Sequence, residues 1–310
     1  MTPKAGTSVL VYDVGGSHVA AAVCHPDSYR LGPVLSAPHP DEPTSDAFIS
    51  VVHSLGIRAS AGLEPVAGAE LAFPGPFDFA AGVSHMKHKL PYLFGVNLRQ
   101  EIAARFGWQP AQVRFLHDSA AFLLGEIGAG AARGVQRAVG ITLGTGIGSA
   151  FAVDGRVVTE GNGVPPGGEI WDLPYEGGIV EDAVSTRGIR ASYERRTGHA
   201  REVAELAKAV TVDPAAAESF AEFGYHLGVA LRGALAVFAP EVIVLGGGIS
   251  RSPGLFLPTA QRELGALGAE LRVSALLDDA PLVGAGVEWF NSLQRSSPQP
   301  ISEAAHSSAD

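Results

Sequence analysis

Three glycine-rich turns, each directly after a short apolar run, constrain this chain more than any other feature of its sequence. They occupy residues 13–17 (DVGGS), 143–148 (LGTGIG) and 245–250 (LGGGIS). One such turn is ordinary loop chemistry, because glycine follows a strand wherever the backbone needs a positive φ. Glycine also lets backbone N–H groups approach phosphate oxygens, and the first two turns carry a hydroxyl residue. Together the turns predict a nucleotide site, with phosphates at the first two and the nucleoside at the third.

The composition indicates a two-lobed protein with a small-molecule ligand. A chain of 310 residues with 46% hydrophobic content can build two lobes and a cleft between them. The 22 basic and 32 acidic residues give a net charge of −10 without a dense Lys/Arg run, which argues against a nucleic-acid partner. The single cysteine, Cys24, excludes an internal disulfide and a multi-cysteine zinc site. With no targeting segment and no apolar run of membrane-spanning length, we expect a cytoplasmic protein without a membrane partner.

Predicted strands and helices alternate along the sequence, which is typical of an α/β protein. A long amphipathic helix at 218–239 precedes a continuous apolar strand at 242–245, a pattern typical of a strand covered on both faces. A hairpin with a glycine turn occurs near Asp13 and again near Gly144, which indicates two related halves. The other predicted strands are 8–13, 19–23, 67–73, 113–116, 138–143 and two within 148–158; the other helices are 45–55, capped by Ser45 or Asp46, and 97–106, 118–126 and 284–293.

These residues resemble the ROK group of bacterial sugar kinases and repressors, within the actin-like, hexokinase-like ATPase fold. The resemblance covers most of the chain and implies two α/β lobes with an interdomain cleft. It also implies transfer of the γ-phosphoryl group of ATP to a sugar hydroxyl. Six motifs stand in the family's order: the first phosphate motif at 13–17, the sugar-lobe loop at 73–76, the catalytic motif at 117–120, the second phosphate motif at 143–148, the start of a Gly-Glu-Ile-Gly-His motif at 168–170 and the adenosine motif at 245–248.

The resemblance implies a division of the chain into lobes. We expect the N-terminal lobe at 1–116, joined by the C-terminal helix near 284–295, and the C-terminal lobe at 117–283. Residues 296–310 are rich in Ser, Pro and Ala and are expected to be disordered. The family's DNA-binding members carry an N-terminal helix-turn-helix for which this sequence has no room, so the expected partner is a sugar. A homodimer is one open option for the oligomeric state.

Asp118 is the predicted catalytic residue. Phosphoryl transfer to an alcohol needs a carboxylate beside the acceptor hydroxyl to take its proton. The resemblance places Asp118 in the catalytic motif, in the role of that base. The alternative is a helix N-cap ahead of Ser119, and one side chain can serve both purposes.

ATP and Mg²⁺ are the expected cofactors. Asp13 ends a strand facing the predicted phosphates and is expected to hold Mg²⁺, through water, since this ion takes only one or two carboxylates. The alternative for Asp13 is a turn-forming role before Gly-Gly. The remaining nucleotide-binding residues are Gly15, Gly16, Ser17, Gly144, Thr145 and Gly146 for the phosphates and Gly246, Gly247 and Gly248 for the nucleoside, against plain hairpin and strand-to-helix turns.

The resemblance implies substrate-binding roles for Gly75, His117, Glu169 and Glu181. Carboxylates of Glu169 and Glu181 can accept hydrogen bonds from sugar hydroxyls, whereas a lone Glu is ordinarily solvated surface. His117 stands where the family usually has a sugar-contacting Asn. Three options stay open for it: contact with the sugar, an influence on Asp118, or packing at the strand end.

Residues 169–181 depart from the family pattern. The family usually has a zinc site there, built from one His and three Cys, and this segment contains no cysteine. We therefore predict no zinc site and expect packing of Trp171, Leu173 and Tyr175 to order the segment instead. The basic cluster at 85–89 is interpreted as solvated loop and not as a site.

The sequence thus predicts an ATP- and Mg²⁺-dependent hexose kinase acting on glucose or a related hexose. One competing class is a sugar-responsive regulator or partner-binding protein that has lost catalysis, against which Asp118 and both phosphate motifs argue. The other is a phosphotransferase that uses another acceptor, or polyphosphate as donor.

Overall fold

The computed structural model describes residues 6–296. This part of the chain forms two five-stranded sheets, two short hairpins and helices on the sheet faces. The strands are β1 (Val9–Val14), β2 (His18–Cys24), β3 (Leu35–Pro38), β4 (Ala69–Phe73), β5 (Phe77–Asp78), β6 (Val83–Ser84), β7 (Val113–His117), β8 (Arg137–Leu143), β9 (Ile147–Val153), β10 (Arg156–Val158), β11 (Pro174–Tyr175), β12 (Gly178–Ile179), β13 (Val242–Gly246) and β14 (Glu270–Val273). The helices are α1 (Ser45–Ala59), α2 (Leu98–Phe106), α3 (Asp118–Ala129), α4 (Val180–Ala183), α5 (Thr186–Thr197), α6 (Val203–Ala209), α7 (Pro214–Leu235), α8 (Leu257–Leu264) and α9 (Ala280–Ser296).

The two large sheets share one topology. The first has the order β3-β2-β1-β4-β7 and the second the order β10-β9-β8-β13-β14. In each sheet an antiparallel meander of three strands is followed by two strands parallel to the first of them. The glycine turns lie at the tips of the hairpins β1–β2 and β8–β9. The two related halves predicted from the sequence are therefore confirmed.

The first sheet is covered on both faces, which explains the continuous apolar run of β1. Leu10 and Tyr12 pack with α1 and α2 in one core cluster. Val9 and Val11 pack on the opposite face in a second cluster, with Trp289 of α9. Because side chains alternate along a strand, a strand between two helical layers needs apolar residues at every position. In the second sheet β13 is fully buried for the same reason, as its sequence predicts.

Helices α3 and α9 cross closely and pack between the sheets. A Cβ atom at Gly284 would overlap the carbonyl oxygen of Ala121, and one at Gly125 would overlap that of Ala280. The crossing therefore depends on the absence of side chains at both glycines. The buried carboxylate of Glu126 accepts hydrogen bonds from Ser274 Oγ and from backbone N–H groups on both sides of the crossing. This contact fixes α3, whose first residue is Asp118.

Three predicted helix boundaries need correction. The cap of α1 is Thr44, whose Oγ1 accepts from the Ala47 N–H at 3.2 Å, and not Ser45 or Asp46. Helix α7 begins at Pro214 and ends at Leu235, because Asp213 caps it and Pro214 suits a first turn, a signal that apolar periodicity alone misses. Helix α9 begins at Ala280, earlier than residue 284.

The predicted disordered tail starts at residue 296, which is the last residue of α9; residues 297–310 lie outside the described part. Within 6–296, no helix has the length and apolar character that crossing a bilayer requires.

Candidate active site

The glycine turns after β1 and β8, the loop after β4 and the end of β7 meet at one cavity. It measures about 660 Å³ and is lined by residues of both large sheets. Strands β1, β4 and β7 run parallel, so their carboxyl ends share one edge of the sheet, where ligands of α/β proteins bind. The predicted site residues in its lining are Gly15, Gly16, Gly75, His117, Asp118, Gly144, Thr145, Gly146, Glu169, Glu181 and Gly247.

Four other predicted site residues are not part of this lining. Asp13 lies near the end of β1, just before the first residue of the cavity lining. Ser17 is exposed, and its Oγ is hydrogen-bonded to His18 Nδ1 at 3.1 Å. Gly246 packs on the ring of Phe122, and Gly248 precedes a short 3₁₀ turn. Their roles in nucleotide binding stay predictions.

The first two glycine turns present free backbone donors. In the described structure the N–H groups of Gly16, Thr145 and Gly146 donate no hydrogen bond to the protein. The space above Gly16 and Gly144 is open, since a Cβ at either position would meet no atom within 4 Å. Convergent backbone N–H groups with open space above them form an anion-binding concavity. Both turns therefore have the chemistry that phosphate oxygens require.

Gly247 joins the third glycine turn to the second. Its φ is +81°, and a Cβ there would overlap the backbone of Leu143 at the end of β8. Only glycine fits a left-handed position with such a close backbone neighbour. The turn therefore lies against the end of β8, at the wall of the cavity.

Asp118 lies at the base of the cavity with its carboxylate held in place. Its Oδ1 accepts a hydrogen bond from the Ser119 N–H at 2.7 Å and lies 3.0 Å from His117 Nδ1. Burial tends to raise the pKa of this carboxyl, but the bond from His117, the charges of His117 and Lys89 and the Ser119 N–H together lower it. The side chain is 40% exposed. Asp118 is thus an ionised carboxylate that a ligand in the cavity can reach. His117 is the N-cap of α3, and Asp118 is its first helical residue.

His117 connects Asp118 to Glu169. Its Nε2 lies 3.9 Å from Glu169 Oε1, on the side opposite Asp118. Burial tends to lower the pKa of His117, but the hydrogen bond to Asp118 and the charges of Asp118 and Glu169 raise it overall, with Lys89 opposing them. The imidazole therefore lies between two carboxylates on the cavity wall.

Trp171 contacts the other side of Glu169. The indole Nε1–H donates to Glu169 Oε2 at 2.6 Å. Trp171 is 39% exposed and lines the cavity, so the prediction that packing of Trp171, Leu173 and Tyr175 orders the segment is wrong for Trp171. Leu173 and Tyr175 do pack on the core below, and the Tyr175 hydroxyl is hydrogen-bonded to His226 Nδ1 at 2.8 Å.

Glu181 lies against the second glycine turn. Its Oε2 accepts from the Ile147 N–H at 3.3 Å, and its Oε1 lies 3.7 Å from an Arg187 nitrogen. A Cβ at Gly146 would overlap the Glu181 carboxylate. Glu181, which is predicted to bind sugar, is therefore in direct contact with Gly146, which is predicted to bind phosphate.

Asp13 has the environment of a cation ligand. Burial, and then the charges of Asp118 and Asp278, raise its pKa to about 7. A divalent cation would relieve this repulsion by favouring the ionised form. Within 6–296, no group of three or more His, Cys, Asp or Glu side chains is placed to hold a metal ion. Asp13 alone still suits Mg²⁺, which binds through one or two carboxylates and completes its shell with water and phosphate oxygens.

Sequence reasoning missed Lys89 as a cavity residue. In the basic cluster at 85–89, Met86 is buried and Lys87 lies over the ring of Phe94, whereas Lys89 lines the cavity. No ion pair of Lys89 exists with the described residues. Lys89 is exposed, as the interpretation of the cluster as solvated loop predicts, but its place in the cavity lining was not predicted. The place of the cluster at 85–89 in the segment that follows the sugar-lobe loop was the one signal in the sequence.

The fold and this cavity define a two-lobed α/β phosphotransferase-like protein, and comparison with known proteins identifies its family. The sequence model described as "ROK family" matches residues 9–290. The chain therefore belongs to the ROK family, as its motifs predict.

Among curated relatives, the chain is similar to a glucokinase from Thermotoga maritima, with 26% identity over 308 residues that cover 88% of this chain and 94% of the relative. Among solved structures, it is similar to a ROK hexokinase from Thermus thermophilus, with a TM-score of 0.78, 26% identity and coverage of 93% and 99%. A ROK family glucokinase from Streptomyces griseus, solved with glucose and AMPPNP, gives a TM-score of 0.74 at 21% identity, with coverage of 90% and 98%. These likenesses confirm the predicted two-lobed fold class.

Proposed function

We propose that this protein is an ATP-dependent sugar kinase that transfers the γ-phosphoryl group to a hydroxyl of glucose or a related hexose. One observation carries the proposal. An ionised carboxylate, Asp118, lies in the same cavity as two glycine turns in which the N–H groups of Gly16, Thr145 and Gly146 have no partner in the described protein. A proton acceptor and free N–H donors in one cavity support the proposal that a sugar and a nucleotide bind there together. Relatives and structural neighbours named as glucokinases and hexokinases support the choice of sugar as acceptor.

Asp118 acts as the general base. Its carboxylate takes the proton of the acceptor hydroxyl while the hydroxyl oxygen forms a bond to the γ-phosphorus. The bond between that phosphorus and the β–γ bridging oxygen breaks, and ADP leaves with the electron pair. Since the pKa of Asp118 is lowered, the base is ionised throughout the neutral range.

The glycine turns bind the phosphates of the nucleotide, and Asp13 holds Mg²⁺. The free N–H groups of Gly16, Thr145 and Gly146 donate to phosphate oxygens. Gly247 and its neighbours in the third turn contact the nucleoside. When bound, Mg²⁺ neutralises negative charge on the phosphate oxygens. Asp13 would provide a carboxylate for the ion, directly or through water.

The sugar binds on the opposite wall, against Gly75, His117 and Glu169. The Glu169 carboxylate is held in one orientation by Trp171 and His117, so it accepts hydrogen bonds from sugar hydroxyls with little loss of side-chain entropy. Glu181 contacts the phosphate turn as well, so it links sugar binding to the position of that turn.

The division into lobes at residues 1–116 and 117–283, with α9 returning to the first, also remains our proposal. The two sheets with one topology support it. A cytoplasmic location, a lack of nucleic-acid and membrane partners, and a homodimer remain predictions from the sequence.

A coupled ADP-release assay over hexoses, amino sugars, polyols and non-sugar alcohols tests the proposal. We expect sugar-dependent ADP release with ATP and Mg²⁺, highest for one hexose, and phosphorylation of that hexose by mass spectrometry. Sugar binding by calorimetry without turnover would support a regulator instead. Turnover with polyphosphate in place of ATP, or with a non-sugar acceptor alone, would support the other phosphotransferase class.

A further inference from the structure

The hydrogen-bond network of His117 determines which of its nitrogens carries the proton. The Ser119 hydroxyl donates to the carbonyl oxygen of Ser149 at 2.8 Å. A hydroxyl has one hydrogen, so Ser119 Oγ must be the acceptor in its 2.7 Å contact with His117 Nδ1. The Ser119 N–H also lies 3.3 Å from Nδ1, but it donates to Asp118 Oδ1 at the shorter distance of 2.7 Å. Nδ1 therefore carries a hydrogen in the neutral ring and donates it to Ser119 Oγ, with Asp118 Oδ1 3.0 Å away.

The same network leaves one oxygen of Asp118 free. Oδ1 receives the Ser119 N–H and faces His117 Nδ1, whereas Oδ2 has no partner among the described residues. The base atom is thus Oδ2, and His117 holds the carboxylate through the other oxygen.

Nε2 is then the atom of His117 that gains a proton. It lies toward Glu169 Oε1, and a Cβ at Gly75 would be 3.4 Å from it. The groups that face the ring are Asp118 from α3, Glu169 from the segment after β10, and Lys89 from the loop after β6, with the Phe79 ring at 5.7 Å. Two carboxylates against one ammonium favour the imidazolium, and the pKa of His117 is accordingly raised.

We propose that His117 is a positioning residue for the base, and that protonation of its Nε2 weakens the base and makes turnover depend on pH. This inference rests on the proposed kinase function. In the neutral form, the Nδ1–H orients Asp118 without adding charge. In the imidazolium form, a full positive charge lies 3.0 Å from the carboxylate and lowers its affinity for the hydroxyl proton.

Turnover should therefore rise with pH through the pKa of His117. Asp118 itself cannot produce this limb, because its own pKa is held below the usual carboxyl range. Any pH dependence that comes from another group is retained by a His117 variant. At saturating Mg²⁺, the ratio of the wild-type rate to the variant rate at each pH therefore isolates the pH dependence that His117 contributes.

The test compares His117→Asn, His117→Ala and the exposed control His199→Asn. An Asn amide nitrogen replaces Nδ1–H as a donor but does not titrate. We expect kcat of the wild type relative to His117→Asn to fall about tenfold from pH 9 to about pH 6, since each bound proton gives a limb of up to tenfold per pH unit. His117→Ala should lose kcat at all pH values, and His117→Asn should recover much of that loss at high pH. His199→Asn should follow the wild-type profile.

NMR supplies a readout that does not depend on activity. We expect the neutral His117 ring to carry its proton on Nδ1 and its pKa to fall in Asp118→Asn and Glu169→Gln. An Nε2–H tautomer, or a wild-type-to-Asn rate ratio that is constant with pH, would overturn the inference. Absence of sugar-dependent turnover in the wild type at every pH would instead overturn the kinase proposal, and the NMR result would still decide the state of His117.

Discussion

Two carboxyl groups of the first sheet, the half-buried Asp13 and the buried Glu70, show how position in the sheet determines charge. Both lie on central strands of the first sheet, and burial is the largest cause that raises the pKa of each. Asp13 is at the cavity end of β1, where a cation can compensate it. Glu70 is in the middle of β4, 2% exposed, and its Oε2 has no hydrogen-bond partner. Asp13 is therefore suited to binding a cation, whereas ionisation of the buried Glu70 would lower the stability of the fold.

Replacement of Glu70 by Gln should remove a pH-dependent loss of stability. Burial, opposed mainly by Arg114, raises the pKa of Glu70 from 4.5 to about 8. The folded state therefore keeps a proton that the unfolded state loses above its ordinary pKa, so stability from this group falls as pH rises toward 8. Between about pH 6 and pH 9, urea unfolding of the wild type should lose about 2 kcal/mol more than that of Glu70→Gln. The exposed Glu64→Gln should lose as much as the wild type, and equal slopes for all three proteins would refute this role of Glu70.

At the scale of elements, side-chain contacts hold the segment between β10 and α4. Leu173 and Tyr175 pack on the core, and Tyr175 is hydrogen-bonded to His226 on α7. Trp171 projects into the cavity and holds Glu169. Leu173 and Tyr175 thus attach the hairpin β11–β12 to the core. Glu169 and Trp171 remain available to contact a ligand in the cavity.

Trp171→Ala should weaken sugar binding with little change in stability. A half-exposed indole loses much less buried area on truncation than a core Trp, so we expect a stability loss below about 1 kcal/mol. Glu169 then loses its N–H donor, and calorimetry should show weaker sugar affinity with ATP affinity retained. Trp171→Phe keeps a ring without the donor and should also bind sugar more weakly. A several-kcal/mol loss of stability, or equal loss of both affinities, would show that Trp171 is a packing residue after all.

The purified protein should contain no stoichiometric zinc. Structural zinc sites use several thiolate or imidazole ligands, and residues 169–181 contain neither Cys nor His. A zinc-selective chelator should leave the thermal midpoint and sugar affinity unchanged. One tightly held zinc per chain by elemental analysis would contradict this.

Local sequence signals predicted the strands, helices and turns, whereas tertiary contacts determine which side chains reach the cavity. The glycine turns and the apolar strands around them were predictable because turn chemistry and side-chain alternation are local properties. The starts of α7 and α9 were not, since apolar periodicity marks the buried face and not the first turn. Lys89 and Trp171 reach the cavity only because distant segments fold around it, and no spacing in the sequence encodes that approach.

For the whole molecule, the crossing of α3 and α9 joins the two sheets and the cavity between them. Gly284 allows the contact, because a Cβ there would overlap the Ala121 carbonyl. The crossing helix α3 also carries Asp118 at its first position, so the base depends on how the sheets are packed together.

Gly284→Ala should destabilise the whole protein. The added methyl meets backbone, which cannot rotate away, so the cost should reach the upper end of about 1–3 kcal/mol for overpacking. Gly233→Ala is the matched control, because that helical glycine of α7 has no atom near a Cβ and Ala is the better helix former. Chemical denaturation should show a lower midpoint for the first variant and an equal or higher midpoint for the second. Equal midpoints would mean that the crossing tolerates side chains.

The most direct test of the central claim, that Asp118 is the base of a sugar kinase, is the rate of sugar phosphorylation by Asp118→Asn. Asn is nearly isosteric with Asp but cannot accept the hydroxyl proton, so kcat should fall about 10²–10⁴-fold while calorimetry shows ATP and sugar still bound. Phosphorylation of the sugar by this variant at the wild-type rate would contradict the assignment of the base and, with it, the mechanism proposed for this cavity.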